Sequence, residues 1–206
     1  MINLEEIKNV ILDLGGVILE LDIDLTIEGF KKLGVPDFED LDIILSKYPF
    51  FELFETGKIS PEEYRDEIRK ASGNNLTDQE IDNTWNAMSL GFKQDTIETV
   101  KKLGGKYRLF LLSNTNAIHE ITYNKQLMDD HGIHNLSMLF EKVYYSHILH
   151  LRKPDPEIFK FVLADSDLIP EDTLYIDDTL VHIKSAESLG IQAYHLKAPE
   201  RITDIF

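Results

Sequence analysis

The chain has 206 residues, 43% of them apolar and 28% charged, enough for a sizeable core and typical of a globular rather than a disordered protein. Its formal net charge of -16 argues against nucleic acid or an anionic membrane as partner, since both need a basic surface. There is no cysteine, which excludes a disulfide scaffold, a thiolate zinc site and a cysteine nucleophile, and fits a cytoplasmic protein.

In chain order, Met1 to Val10 carries Glu5 and Glu6 and lacks a long apolar run, so no signal peptide is expected there. No run of about 18 or more apolar residues predicts a membrane span. Val10-Ile11-Leu12 is the first of several short apolar runs and ends at Asp13. From Asp22 to Leu90 the pattern changes. Helical spacing appears over Leu25 to Leu33, Leu41 to Leu45, Pro61 to Ala71 and Thr77 to Leu90, and no strand stands out. Pro61 after Ser60 predicts a helix start with Glu62 and Glu63 in the first turn, and Thr77-Asp78-Gln79-Glu80 reads as a capping box. Trp85, Phe92 and the Phe50, Phe51, Phe54 set are expected in the core of this region, with Tyr48 or Glu55 able to reach a site beside it.

Beyond Leu90 the apolar runs return as Leu109 to Leu112 before Ser113, Val143 to Tyr145 before Ser146, Leu174 to Ile176 before Asp177, and Ile191 to Leu196. Helical patterns separate most of them: Gln94 to Leu103, Asn116 to Met128, Pro156 to Leu163 and Leu180 to Leu189. Short runs rich in β-branched and aromatic residues predict strands buried on both faces, and their alternation with helices predicts an α/β fold with a parallel sheet.

In such a sheet, ligands bind beyond the carboxyl ends of the strands. Asp13, closing a strand and followed by Gly15-Gly16, is either a strand-end turn or a carboxylate able to attack phosphorus. Ser113 and the backbone N–H of Asn114 precede a helix, as N-capping residues do, and as phosphate-binding groups do. Lys153, next to Pro154, sits unfavourably for a helix start but suits a role in neutralising phosphate. Asp177-Asp178 places two like charges side by side, which a cation between them and Asp13 would explain; oxygen-only ligands suit Mg2+.

Taken in order, Asp13-Leu14-Gly15-Gly16-Val17, Leu112-Ser113-Asn114, Arg152-Lys153-Pro154-Asp155 and Ile176-Asp177-Asp178 resemble the four motifs of the haloacid dehalogenase superfamily, and the chain is similar to its bacterial glucose-1-phosphate phosphatases. Phe54 to Ser60 resembles a recurring cap segment. The resemblance implies a Rossmann-like core over residues 1–16 and 91–206 and an inserted all-helical cap over 17–90. It also implies Mg2+-dependent hydrolysis of a small phosphorylated metabolite, with a sugar phosphate favoured; no obligate protein partner is evident in the sequence. Asp13 would be the nucleophile and a metal ligand. The Gly15 carbonyl, Asp177 and Asp178 would complete the metal site, and Ser113, Asn114 and Lys153 would hold the phosphoryl group.

The sequence departs from the family pattern at Gly15, where most members carry a second aspartate as general acid and base. A positioned acid contributes about 10²- to 10⁴-fold. The leaving group needs little protonation, or another carboxylate substitutes (Glu20, Asp22 and Asp24 are the candidates), or the chain is a non-catalytic binding module. A 2-haloacid dehalogenase, which also lacks that aspartate, is disfavoured by the Asp177-Asp178 pair. His182 is expected either just behind the ligand-bearing residues or on the surface, and His119, His131, His134, His147 and His150 are expected on the surface or in loops.

Overall fold

The computed structural model describes residues 4–38, 44 and 47–206; the helical spacing expected over Leu41 to Leu45 falls outside these except at Ile44. Five strands, β1 (Asn9–Leu12), β4 (Arg108–Ser113), β5 (Lys142–Tyr145), β6 (Thr173–Asp177) and β7 (Gln192–His195), form one parallel sheet in the order β5-β4-β1-β6-β7. The period-2 alternation of side chains sorts the strand residues between two cores. Val10, Leu12, Leu109, Leu111, Leu174 and Ile176 face one side, where they pack on helices α5 (Gln94–Gly104) and α6 (Ala117–His131). Ile11, Phe110, Leu112 and Tyr175 face the other, against α7 (Pro156–Asp165) and α8 (Leu180–Glu187). Both faces are covered, which is why these strands read as unbroken apolar runs.

A second group of helices, α1 (Ile23–Lys32), α2 (Phe50–Glu55), α3 (Pro61–Ser72) and α4 (Asp78–Asn86), has its own aromatic core. Phe30, Phe51, Phe54, Tyr64 and Trp85 pack together, with the Phe54 and Tyr64 rings stacked 4.4 Å apart. Helices α3 and α4 start where the capping residues predict. Ser60 and Thr77 each accept from the backbone N–H three residues on, and Glu63 and Glu80 reach back to the cap N–H. Each such cap is worth about 1 kcal/mol. The fully buried Ile118 of α6 joins this aromatic core, so the two layers share an interface.

Sequence periodicity missed the connection between the layers. Strands β2 (Leu19–Leu21) and β3 (Ser89–Phe92) pair antiparallel where the chain leaves and re-enters the sheet. The helix expected over Thr77 to Leu90 therefore ends at Asn86. Thr26 Oγ1 donates to the carbonyls of Thr84 (3.0 Å) and Trp85 (3.1 Å) and accepts from Met88 N (3.2 Å), which pins the turn from α4 into β3. Phe92, on β3, packs with the sheet rather than with the helical group.

Candidate active site

The carboxyl ends of β1, β4, β5 and β6 lie together because the sheet is parallel and β1 sits between β4 and β6. Asp13 follows β1 and is tied to the next strand by its backbone N–H, which donates to Ile176 O at 2.9 Å. Its Oδ1 accepts from Leu14 N (2.7 Å) and lies 2.8 Å from Lys153 Nζ. Lys153 is fully buried, and the same ammonium donates to Asp177 Oδ2 at 2.7 Å.

One lysine is therefore shared by two buried carboxylates. Burial pushes the Asp13 carboxyl up, to about 8, against the pull of Lys153, and the charge on Asp177 adds to the rise. Burial opposes charge on Asp177 as well, but Lys153 and His182 outweigh it and hold that carboxyl far below the usual range. For Lys153, burial disfavours the ammonium and the two aspartates more than compensate, so its pKa is raised. Removing one member of such a buried pair costs about 3–5 kcal/mol.

The position of Lys153 is set from behind. Its backbone N–H donates to Asn114 Oδ1 and its carbonyl accepts from Asn114 Nδ2, both at 2.9 Å. Asp177 is anchored on every side. Oδ1 accepts from Thr179 N at 2.7 Å, Oδ2 accepts from the Tyr175 hydroxyl as well as from Lys153, and His182 Nδ1 stands 3.1 Å from both oxygens. Asp178 is less committed. Its Oδ1 accepts from Thr179 Oγ1 at 3.1 Å, and its Oδ2 presses against Gly16, where a Cβ would come within 2.2 Å. Burial, with the neighbouring Asp177 charge, raises the Asp178 carboxyl above its ordinary value.

The donor set fits a hard divalent cation. Asp13, Asp177 and Asp178 set three carboxylates against the single Lys153 ammonium, which leaves negative charge that such an ion would neutralise. Asp13, Asp177 and His182 each offer a ligand atom, and these atoms lie within 4.8 Å of one another. Asp177 and His182 spend those atoms on each other. That makes Asp13 and Asp178 the better-suited carboxylates for a direct bond.

Ser113 closes β4 with its side chain buried and only a weak contact, 3.4 Å, to the Asn114 carbonyl. Beyond it, the fully buried Ser146 accepts from Thr115 N (2.9 Å) and reaches the carbonyls of Thr115 (3.0 Å) and Glu55 (2.6 Å). Ser146 thus joins the loop after β4 to the C-terminal end of α2. His150 Nδ1 adds a contact to Thr56 O at 2.8 Å. Gly57 lies so close to His147 that a Cβ would meet the His147 carbonyl at 2.1 Å. Between the layers is a cavity of about 240 Å3, bordered by Gly15, Ser113 and Asn114 on the sheet side and by Ile27, Phe51 and Trp85 on the helical side.

The structure brings together Asp13, Lys153, Asp177 and the loop carrying Ser113 and Asn114, with Gly15 and Asp178 at its border. It does not bring Glu20, Asp22 or Asp24 to the cavity that Ser113 and Asn114 border. Asp22 caps α1, Glu20 pairs with Lys93, and all three line a separate open cleft on the Asp178 side. Tyr48 is also elsewhere, its hydroxyl donating to Pro36 O. Sequence reading gave no role to Ser146, Arg152, Tyr175 and Thr179, and placed two histidines too far out: His147 is buried beside Glu120, and His119 is stacked on Trp85. His182 stands behind the site against Asp177, one of the two places expected for it. Only Tyr175 carried a usable signal, since it lies two residues before Asp177 on the same face of β6.

Residues 7–190 match the haloacid dehalogenase-like hydrolases, and the chain belongs to that family. It is therefore a hydrolase by fold and by sequence. It is 34% identical over 195 residues to the D-ribitol-5-phosphate phosphatase of Bacteroides thetaiotaomicron, covering 91% of each chain. It also superposes on the crystal structure of a haloacid dehalogenase family enzyme from Bacteroides thetaiotaomicron in complex with magnesium and inorganic phosphate. That match has a TM-score of 0.88 and 37% identity, and covers 97% of this chain and 99% of that one. The L-2-haloacid dehalogenase of Xanthobacter autotrophicus shares the fold at 15% identity and a TM-score of 0.58, over 91% of this chain and 76% of that one. Among the described residues no helix is long and apolar enough to cross a membrane.

Proposed function

We propose that the protein is a Mg2+-dependent phosphatase of a small, sugar-like phosphomonoester, acting through an aspartyl-phosphate on Asp13. The observation that carries this reading is the Lys153 ammonium held between Asp13 and Asp177, with Ser113 and Asn114 on the neighbouring strand end bordering the cavity between the layers. The phosphatase relative and the magnesium–phosphate complex of the similar structure support it. The excess of carboxylates disfavours a dehalogenase, whose attack on carbon needs no metal.

In this reading Lys153 pulls Asp13 toward its ionised form and neutralises the incoming phosphoryl oxygens, a bound divalent cation would complete the ionisation that burial opposes, and Ser113 Oγ and the Asn114 backbone N–H hold the remaining oxygens. Asp13 attacks phosphorus, the bond to the leaving oxygen breaks, and the departing alkoxide takes a proton from water. Water then attacks the phosphorus of the aspartyl-phosphate, releasing phosphate and restoring the carboxylate. Asp178, the Gly15 carbonyl and Asp13 would hold Mg2+, with Asp177 anchoring Lys153 and closing the site from behind. When bound, the ion supplies charge neutralisation and polarises the phosphoryl group. Residues 1–16 and 91–206 serve as the catalytic core. Residues 17–90 serve as a cap that excludes water from the cavity, swinging on the β2–β3 ribbon.

Phosphate release from sugar, acyl and aryl phosphates, measured with Mg2+ and with a chelator, tests the proposal. Mg2+-dependent release that disappears in Asp13→Asn is the expected result. Release that is unaffected by the chelator or by Asp13→Asn would sink it.

A further inference from the structure

The wall of the cavity is mostly apolar on its helical side, with Leu21, Ile27, Phe51 and Met88 among its residues. Most polar groups there are already spent on the protein. Thr26 holds the end of α4, Ser89 Oγ donates to Gln126, and His119 Nδ1 is 2.8 Å from Asn86 Oδ1. Four groups are different, one of them the hydroxyl of Tyr123 in the sheet core. The other three, Glu55 Oε2, Arg152 Nε and Trp85 Nε1, are likewise buried and make no hydrogen bond to any described residue. Glu55 Oε2 lies 3.1 Å from Arg152 Nη2, near enough for charge pairing but out of line for a hydrogen bond. Unmade hydrogen bonds of this kind are costly, at about 1–3 kcal/mol each, and are rare in native interiors.

All three residues line the same cavity as Ser113 and Asn114. Glu55 is also fixed in register with the phosphate-side loop, because its own carbonyl accepts from Ser146 Oγ, which holds Thr115. Burial raises the Glu55 carboxyl above its usual value, against the pull of Arg152.

We infer that Glu55 and Arg152, with the Trp85 indole N–H, form the subsite for the leaving group, and that this group is a neutral polyhydroxylated alcohol. The inference rests on the phosphatase reading above and adds the chemistry of the far end of the substrate. A hydroxyl both donates and accepts, so it can satisfy the Glu55 carboxylate and the Arg152 or Trp85 N–H together. The apolar wall suits the C–H face of a polyol. A second phosphate on the leaving group is disfavoured, since Arg152 is already faced by Glu55 and by Glu52 at 3.6 Å. Glu55 and Arg152 come from opposite layers, so the subsite is complete only when the helical layer is seated on the sheet.

The test compares wild type, Glu55→Gln and Glu55→Ala on three probes with Mg2+: ribitol 5-phosphate, pentyl phosphate and 4-nitrophenyl phosphate. The expected result is a loss of about 10- to 100-fold in kcat/KM on ribitol 5-phosphate, mostly in KM, with pentyl and aryl phosphates nearly unchanged. Equal loss on all three probes would overturn the inference and leave Glu55 a structural role. Loss on both alkyl phosphates with the aryl ester spared would overturn it in favour of a proton donor. No Mg2+-dependent release by wild type from any probe would instead remove the phosphatase reading beneath it.

Discussion

The side chain of Asn114 is bound to the backbone of Lys153 twice, donating to its carbonyl and accepting from its N–H, both at 2.9 Å. The residue after β4 thus sets where the buried ammonium stands, thirty-nine positions further along the chain. In the resemblance Asn114 is a phosphate-binding residue through its backbone; its side chain serves as the mount of the lysine.

Asn114→Ala should therefore lower stability by about 1–3 kcal/mol, the range for losing partners of partly buried backbone groups. Turnover should fall at least about 10-fold, since a misplaced charge is expensive in a positioned site. Thermal unfolding alongside kcat measures both. A variant with normal stability and normal turnover would show that Lys153 needs no such support.

Gly16 has φ of 70°, and a Cβ there would meet Asp178 Oδ2 at 2.2 Å. Gly16→Ala combines backbone strain of about 1–3 kcal/mol with displacement of the Asp178 carboxylate. The Mg2+ concentration for half-maximal activity should rise about 10-fold or more, with a smaller change in substrate KM. A Mg2+ titration in which the half-point does not move would mean that Asp178 is not a ligand.

At Gly15 the obstacle is softer. An added Cβ would lie 2.6 Å from Leu21 Cδ1, the end of a side chain that is 36% exposed and able to swing away. Gly15→Asp should restore an acid and raise turnover about 10-fold or more on alkyl phosphates, leaving aryl phosphates little changed. If the variant is slower on every substrate, the missing acid is not what limits the enzyme.

His119 stacks on Trp85 with ring centres 4.6 Å apart, and burial pushes its pKa down to about 3 from the usual 6.5. The folded form then binds fewer protons than the unfolded chain between those two values. Stability should be fully present above pH 6.5 and fall as the pH drops toward 3, by at most about 1.4 kcal/mol per pH unit. His119→Phe should remove that part of the acid sensitivity, read from urea midpoints at pH 7 and pH 5. Equal slopes for both proteins would show that His119 does not titrate in this way.

The sheet was legible because a strand covered on both faces leaves its mark in consecutive residues, as in Leu109 to Leu112. The capped helix starts at Ser60 and Thr77 were legible because a cap is local. The β2–β3 ribbon was not. Leu19–Leu21 is three residues long, Ser89–Phe92 contains a glycine, and each depends on a partner about seventy residues away. The same divide runs through the site. Asp13, Ser113 and Asp177 follow their own apolar runs and could be read directly. The meeting of Glu55 with Arg152, or of Ser146 with both Thr115 and Glu55, exists only once the helical layer has docked. The histidines misled because a short-range pattern carries no information on burial: His119 and His147 owe theirs to Trp85 and to Tyr145.

The Ser146 hydroxyl has a single proton and two carbonyls within reach, Glu55 O at 2.6 Å and Thr115 O at 3.0 Å. With the helical layer seated, the shorter contact takes the proton. If Glu55 is withdrawn, rotation about one bond turns the same proton onto Thr115, and the Thr115 N–H keeps its acceptor throughout. Withdrawal of Glu55 therefore strands neither the Ser146 hydroxyl nor the Thr115 N–H. The tie between Ser146 and the loop after β4 is independent of whether the Glu55 carbonyl is in place.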